Sequence, residues 1–111
     1  MENVRTNIDI ARTVRAWCAA HEHRWEAQRI ASRFRYVVRE GVEKAIVALR
    51  TMTHEANLVV LGIGTVEFTA LDSGTKREAV SRTGRYASEF DLQRFLDGCV
   101  AEFEGMARAA R

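Results

Sequence analysis

The sequence predicts an α+β fold: two N-terminal helices, a small antiparallel β-hairpin or three-stranded sheet, and a C-terminal helix, all in one domain spanning residues 1–111. Three observations carry this. Apolar residues recur at helical spacing over most of the first 52 positions, a β-branched run with a Gly-x-Gly break follows at 58–71, and a capped apolar stripe occupies the C-terminal quarter.

Thr6-Asn7-Ile8-Asp9 has the form of a capping box, with Thr6 or Asn7 as N-cap and Asp9 favouring the positive end of a helix that starts near Ile8. Ile10, Val14, Trp17, Cys18 and His21 continue at helical spacing. A second stripe comprises Ile30, Phe34, Val37, Val38, Val42, Ala45, Ile46, Leu49 and Met52. Ala19–Gln28 between them is polar and holds no Gly or Pro. One helix of about 45 residues is therefore an alternative to two, but an unsupported helix of that length needs a partner along all of it.

Thr53–Asn57 ends the helical pattern, and Asn57–Leu71 reads as strand interrupted at Gly62-Ile63-Gly64. Val66, Phe68 and Ala70 alternate with Thr65, Glu67 and Thr69, which assigns the first set to the core. Asp72-Ser73-Gly74-Thr75 is turn chemistry, so Lys76–Arg82 should pair back as a further strand. Ser88-Glu89-Phe90-Asp91 starts the last helix, on which Leu92, Phe95, Leu96, Cys99, Phe103 and Met106 form one stripe.

Composition bounds the function. Hydrophobic residues at 47% and charged residues at 29% are ordinary for a folded domain, and no apolar run approaches the roughly 20 residues of a membrane span. The start lacks a signal-peptide pattern, and Cys18 and Cys99 sit among apolar residues, which points to buried thiols and a cytoplasmic protein. Net charge is only +2, yet fifteen of the seventeen basic residues are Arg, the side chain suited to bidentate contacts with phosphate or carboxylate.

No catalytic pattern emerges, so the chain is read as a non-enzyme without metal or cofactor. His21-Glu22-His23 has metal-like residue types, but residues two apart on a helix point in opposing directions. His21 is better packed against Trp25, leaving His23 on the surface. Gly62-Ile63-Gly64-Thr65 leads into a strand, whereas a phosphate loop leads into a helix. Glu67, Asp72 and Glu78 are read as solvated acids. The basic positions carry more information. Arg24, Arg29, Arg33, Arg35 and Arg39 crowd one segment, and Lys76, Arg77, Arg82 and Arg85 crowd the hairpin. From these, Arg29, Arg33, Lys76, Arg77, Arg82 and Arg85 are the candidate nucleic-acid contacts.

Leu58-Val59-Val60-Leu61-Gly62-Ile63-Gly64-Thr65-Val66-Glu67-Phe68 resembles the stretch of the histone-like HU and integration host factor family in which a short strand turns into a long hairpin. The resemblance covers roughly Ile8–Arg82. It implies two helices before the hairpin, a helix after it, an intertwined homodimer and basic arms in the DNA minor groove. Ile63 and Val66 stand where that family has aromatic residues, and the chain contains no proline, so kinking by an inserted proline is not implied.

Three function classes follow: a dimeric nucleic-acid-binding or architectural protein, a protein-interaction module (adaptor, immunity-type or regulatory partner), and a small-molecule-binding domain lined by Trp17, Trp25, Tyr36, Phe68 and Phe95. A homodimer is expected, because the apolar arc of Ile30–Met52, taken as a helix, is wider than one neighbour covers.

Overall fold

A computed structural model describes residues 8–110. The chain order is α1 (Ile10–Ala27), β1 (Ala31–Arg39), β2 (Val42–Arg50), β3 (His54–Leu61), β4 (Thr65–Asp72), β5 (Glu78–Arg85) and α2 (Glu89–Ala109). The five strands form one antiparallel meander in sequence order, and both helices lie on the same face of it. The molecule is α+β, but the expected second N-terminal helix does not exist and the sheet has five strands instead of two or three.

Residues 30–52 hold β1 and β2 in place of the expected helix. Their stripe was compatible with a helix because β2 carries apolar residues on both faces: Ala45, Val47 and Leu49 are buried beneath the helices, while Ile46 and Ala48 are half-buried on the opposite side. A strand with two apolar faces loses the alternation that identifies it. The turn between β1 and β2 consists of Glu40 and Gly41, both with positive φ (53° and 77°), the backbone of a two-residue hairpin. Glycine supplies one of those conformations without strain, whereas Glu40 is an unusual residue there, so the turn was weakly marked.

α1 ends where Arg29 turns to φ 59° and the amide of Ile30 bonds back to the Trp25 carbonyl at 2.8 Å. This closure normally uses glycine or asparagine, which explains why the polar stretch before it carried no visible stop signal. The N-cap of α1 is Asp9, whose carboxylate accepts from the Arg12 amide. The alternative caps Thr6 and Asn7 lie outside the described residues. α2 begins as expected, with the Ser88 hydroxyl accepting from the Asp91 amide at 3.1 Å.

The two helices run parallel and in register. Trp17 Nε1 donates to Asp97 at 2.8 Å, and Arg24 donates to Glu104 at 2.6 Å, the same sequence offset seven residues later. Glu104 is buried at 1% exposure, and Gln28 Nε2 donates to its second oxygen at 3.0 Å. A buried carboxylate persists because both oxygens are occupied by donors.

α1 covers the β1–β2 half of the sheet and α2 the β3–β5 half. Between them and the sheet lie Ile10, Val14, Trp25, Leu58, Phe68, Leu92, Leu96 and Phe103. Val66, Phe68 and Ala70 face this core, as the alternation predicts, and Thr65, Glu67 and Thr69 face away. Cys18 and Cys99 are buried and unpaired, and burial pushes their thiols up to about 11 and about 12. Among the described residues, no helix is long and apolar enough to cross a membrane.

Candidate functional site

The helices cover one face of the sheet and leave the other open. Strand alternation and the register assign Arg33, Arg35, Val37 and Arg39 of β1, and Lys44, Ile46, Ala48 and Arg50 of β2, to the open face. β3 contributes Glu55, Asn57, Val59 and Leu61, and β4 contributes Thr65, Glu67, Thr69 and Leu71. The face is polarised. Its β1–β2 half carries five cationic positions and no acid, its centre is the apolar row of Ile46 and Val59, and its acids, Glu55, Glu67 and Glu78, lie on β3, β4 and β5.

Local pairing sharpens that asymmetry. Among the described residues the ion pairs are Arg24 with Glu104, Lys76 with Glu55, Arg82 with Glu102, and the longer contact of His21 with Asp97. Arg33, Arg35, Arg39 and Lys44 have no acidic partner among them. Arg50 lies opposite Glu55 in the ladder and helps hold that carboxyl below its usual value, after the larger effect of the Lys76 hydrogen bond. Arg33, Arg35 and Arg39 thus remain available on an edge strand, the first two about 6.6 Å apart along the chain direction.

The six basic residues singled out from the sequence do not come together. Arg33 is on the open face of β1, and Arg29 sits in the turn before that strand. Lys76 and Arg77 occupy the β4–β5 turn at the opposite edge, where Lys76 is tied to Glu55 at 2.6 Å. Arg82 faces the helix side, held by Glu102 of α2 at 2.9 Å, and Arg85 ends β5 opposite Thr65. Arg29 and Arg33 are near each other only in the sequence, one in the turn and one in the strand. Sequence proximity could not show that β1 and β5 lie at opposite edges of a five-stranded sheet. The residues overlooked as a set, Arg33, Arg35 and Arg39 on one face, follow period two, a signal that a helical reading of the same segment conceals.

β1 has an uncommon edge. All nine residues pair with β2 without interruption, so its other side offers a straight row of backbone groups. A two-residue hairpin loop makes Arg39 and Val42 a hydrogen-bonded pair. The alternation then turns the amides and carbonyls of Ser32, Phe34 and Val38 away from β2. The side chains of Phe34, Tyr36 and Val38 lie on the helix side, where α1 does not fully cover them: Tyr36 is 41% and Val38 is 55% exposed. Arg15 of α1 stacks over the Phe34 ring at 4.8 Å, and the Tyr36 hydroxyl donates to Glu43 at 2.7 Å.

A groove of about 510 Å³ lies between α1 and the beginning of β1, lined by Glu22, His23, Trp25, Glu26, Ile30, Ala31 and Ser32. The Trp25 indole packs edge-on against Trp17 and stacks on His21, as the spacing of His21 and Trp25 suggests. Its buried N–H has no acceptor among the described residues. A second groove, about 600 Å³, lies where Gln28, Arg29, Thr51, Met52 and Ala107 meet, and holds no converging ionisable groups. His21 donates from Nδ1 to the Trp17 carbonyl while His23 is exposed, and no group of three or more metal-ligating side chains converges among the described residues.

Comparison with family models, with curated proteins and with solved structures finds no match for this chain.

Proposed function

We propose that this chain is a protein-interaction module that binds an acidic protein partner on the β1–β2 side of its sheet. The observation that carries this reading is the set of cations, Arg33, Arg35, Arg39 and Lys44, that share one open face without acidic partners among the described residues. Guanidinium groups in that arrangement favour bidentate contact with carboxylates. The apolar positions beside them, Val37, Ile46 and Val59, supply the dry centre that a polar rim surrounds in protein interfaces.

Nucleic acid is the second reading, favoured by the same arginines, since alternate positions on a strand can track phosphates. Two observations place it second. The open face carries no aromatic side chain among the described residues on which a base could stack, and Lys76 and Arg82 are already paired with acids.

Fluorescence anisotropy with labelled polyglutamate, a single-stranded oligonucleotide and a duplex, titrated at several salt concentrations, separates the readings. Polyglutamate should bind at low salt and be lost in the exposed triple variant Arg33→Ser, Arg35→Ser, Arg39→Ser. Tighter binding of either oligonucleotide at equal charge, with a steep salt slope, would establish the nucleic-acid reading instead. Binding of none of the three would remove both.

A further inference from the structure

We infer that the partner binds as an added β-strand along the free edge of β1, as an extended segment that alternates acidic with apolar residues. The inference rests on the interaction reading above and specifies its geometry and its ligand.

Three independent features meet at this edge. The first is backbone. β1 is long and unbulged, and it points the amides and carbonyls of Ser32, Phe34 and Val38 outward, whereas exposed edges are ordinarily shortened, bulged or covered. The second is the chemistry of its two faces. A strand laid against β1 places alternate side chains beside Arg33, Arg35 and Arg39 on the open face, and the others beside Phe34, Tyr36 and Val38 on the helix side. Carboxylates fit the first set and apolar groups the second.

The third feature is the groove. The first residues of β1 form one wall of it, so a side chain on the helix side of an added strand reaches the space bounded by Trp25, Ile30 and Ser32. Glu22 and Glu26 line the same space and exclude a carboxylate there, which fixes the acidic residues of the segment to the open face. A second copy of β1 is a poor occupant, because its own arginines would lie beside Arg33, Arg35 and Arg39, and like charges on neighbouring strands repel. Strand addition is an established mode of peptide capture, with main-chain bonds supplying affinity and alternate side chains supplying specificity.

The test uses the full chain and a labelled nine-residue peptide alternating glutamate with valine, followed by anisotropy at low salt. Its controls are an isomer with the glutamates in one block and two N-methylated forms, one methylated on the glutamate amides and one on the valine amides. Strand pairing uses the amides of only one set, so one methylated form should lose at least tenfold in affinity and the other little. An antiparallel added strand loses binding when valine amides are methylated, a parallel one when glutamate amides are. The block isomer should also bind at least tenfold more weakly. Equal binding by the parent, the block isomer and both methylated forms would overturn strand addition. If that binding still required Arg33, Arg35 and Arg39, the interaction surface would stand without it. Failure of both the alternating peptide and polyglutamate to bind would overturn the surface as well.

Discussion

Gly84→Ala tests how α2 is seated on the sheet. Gly84 lies on the helix side of β5 opposite Val66, and a Cβ built there would be 2.4 Å from Cε2 and 2.6 Å from Cδ2 of Phe95. Neither separation is tolerable, so the ring must swing out or α2 must lift. Lifting the helix would disturb Leu92, Leu96 and Phe103, all fully buried, so rotation of the half-buried Phe95 is the cheaper response. Fully burying a large apolar side chain is worth about 1.5–3 kcal/mol, so losing the partial burial of Phe95 costs about 1–1.5 kcal/mol. Residual crowding of the overpacked site raises the total to about 2 kcal/mol. Against this, Ala in place of Gly stiffens the unfolded chain and returns about 0.4–1 kcal/mol. The net loss is about 1–1.5 kcal/mol, a fall in melting temperature of roughly 4–8 °C for a chain of this size. Urea unfolding of the wild type, Gly84→Ala, Phe95→Ala and the double variant checks the mechanism. Once Phe95 is truncated the clash is gone, and Gly84→Ala should become neutral or stabilising. Destabilisation of equal size in both backgrounds would refute the steric account.

Arg24→Ala leaves Glu104 with Gln28 alone, and because Arg24 is itself 58% exposed the cost should be about 1–3 kcal/mol, below that of a fully buried pair; a denaturant midpoint that does not move would show that the pair holds nothing. Phe34→Ala should destabilise by about 1–2 kcal/mol as a half-buried ring on the core side, whereas Val42→Ala, on the open face, should cost well under 1 kcal/mol; equal losses would contradict the assignment of faces. Cys18 and Cys99, with thiols raised to about 11 and about 12, should react with a thiol reagent at pH 7.5 far more slowly in the folded protein than in urea, and prompt native labelling would show them accessible. The Asp72 carboxyl lies below its ordinary 3.8, chiefly because the Thr75 amide donates to it; its contribution is present above that pH and lost as pH falls through the lower folded value, so wild type and Asp72→Asn should differ in stability at pH 6 and converge on acidification.

The parts of the fold that a single sequence reveals are those in which one period dominates. Leu92, Leu96, Cys99 and Phe103 mark α2, with Ser88 as its cap, and the alternation of Val66, Phe68 and Ala70 marks β4. β1 and β2 were hidden for a physical reason. Ile46 and Val47 are both apolar because the open face has an apolar centre, and a segment apolar on both faces satisfies helical spacing as readily as strand spacing. Two positive-φ residues outside the usual set, Arg29 and Glu40, then removed the punctuation at each end of β1. The site suffered with the strand. Arg33, Arg35 and Arg39 were visible as a basic cluster, but only a strand puts them on one side.

The two edges of the sheet are built differently. β5 is managed as an ordinary edge: its register shifts between Ala70 and Leu71, Gly84 admits the Phe95 ring from α2, and Arg82 is tied to Glu102. Each of these either breaks the row of backbone groups or fastens the strand to the helix above it. β1 has none of them. Its pairing runs unbroken to a tight turn, its helix-side residues Tyr36 and Val38 stay exposed although α1 lies over the same half of the sheet, and its arginines lack acids among the described residues. Repulsion between like-charged arginines discourages self-pairing along this edge, and the same charge attracts an acidic strand. On the reading proposed above, one set of side chains both disfavours self-pairing and selects an acidic partner, and this is the reason to look for the function at β1 before any other surface.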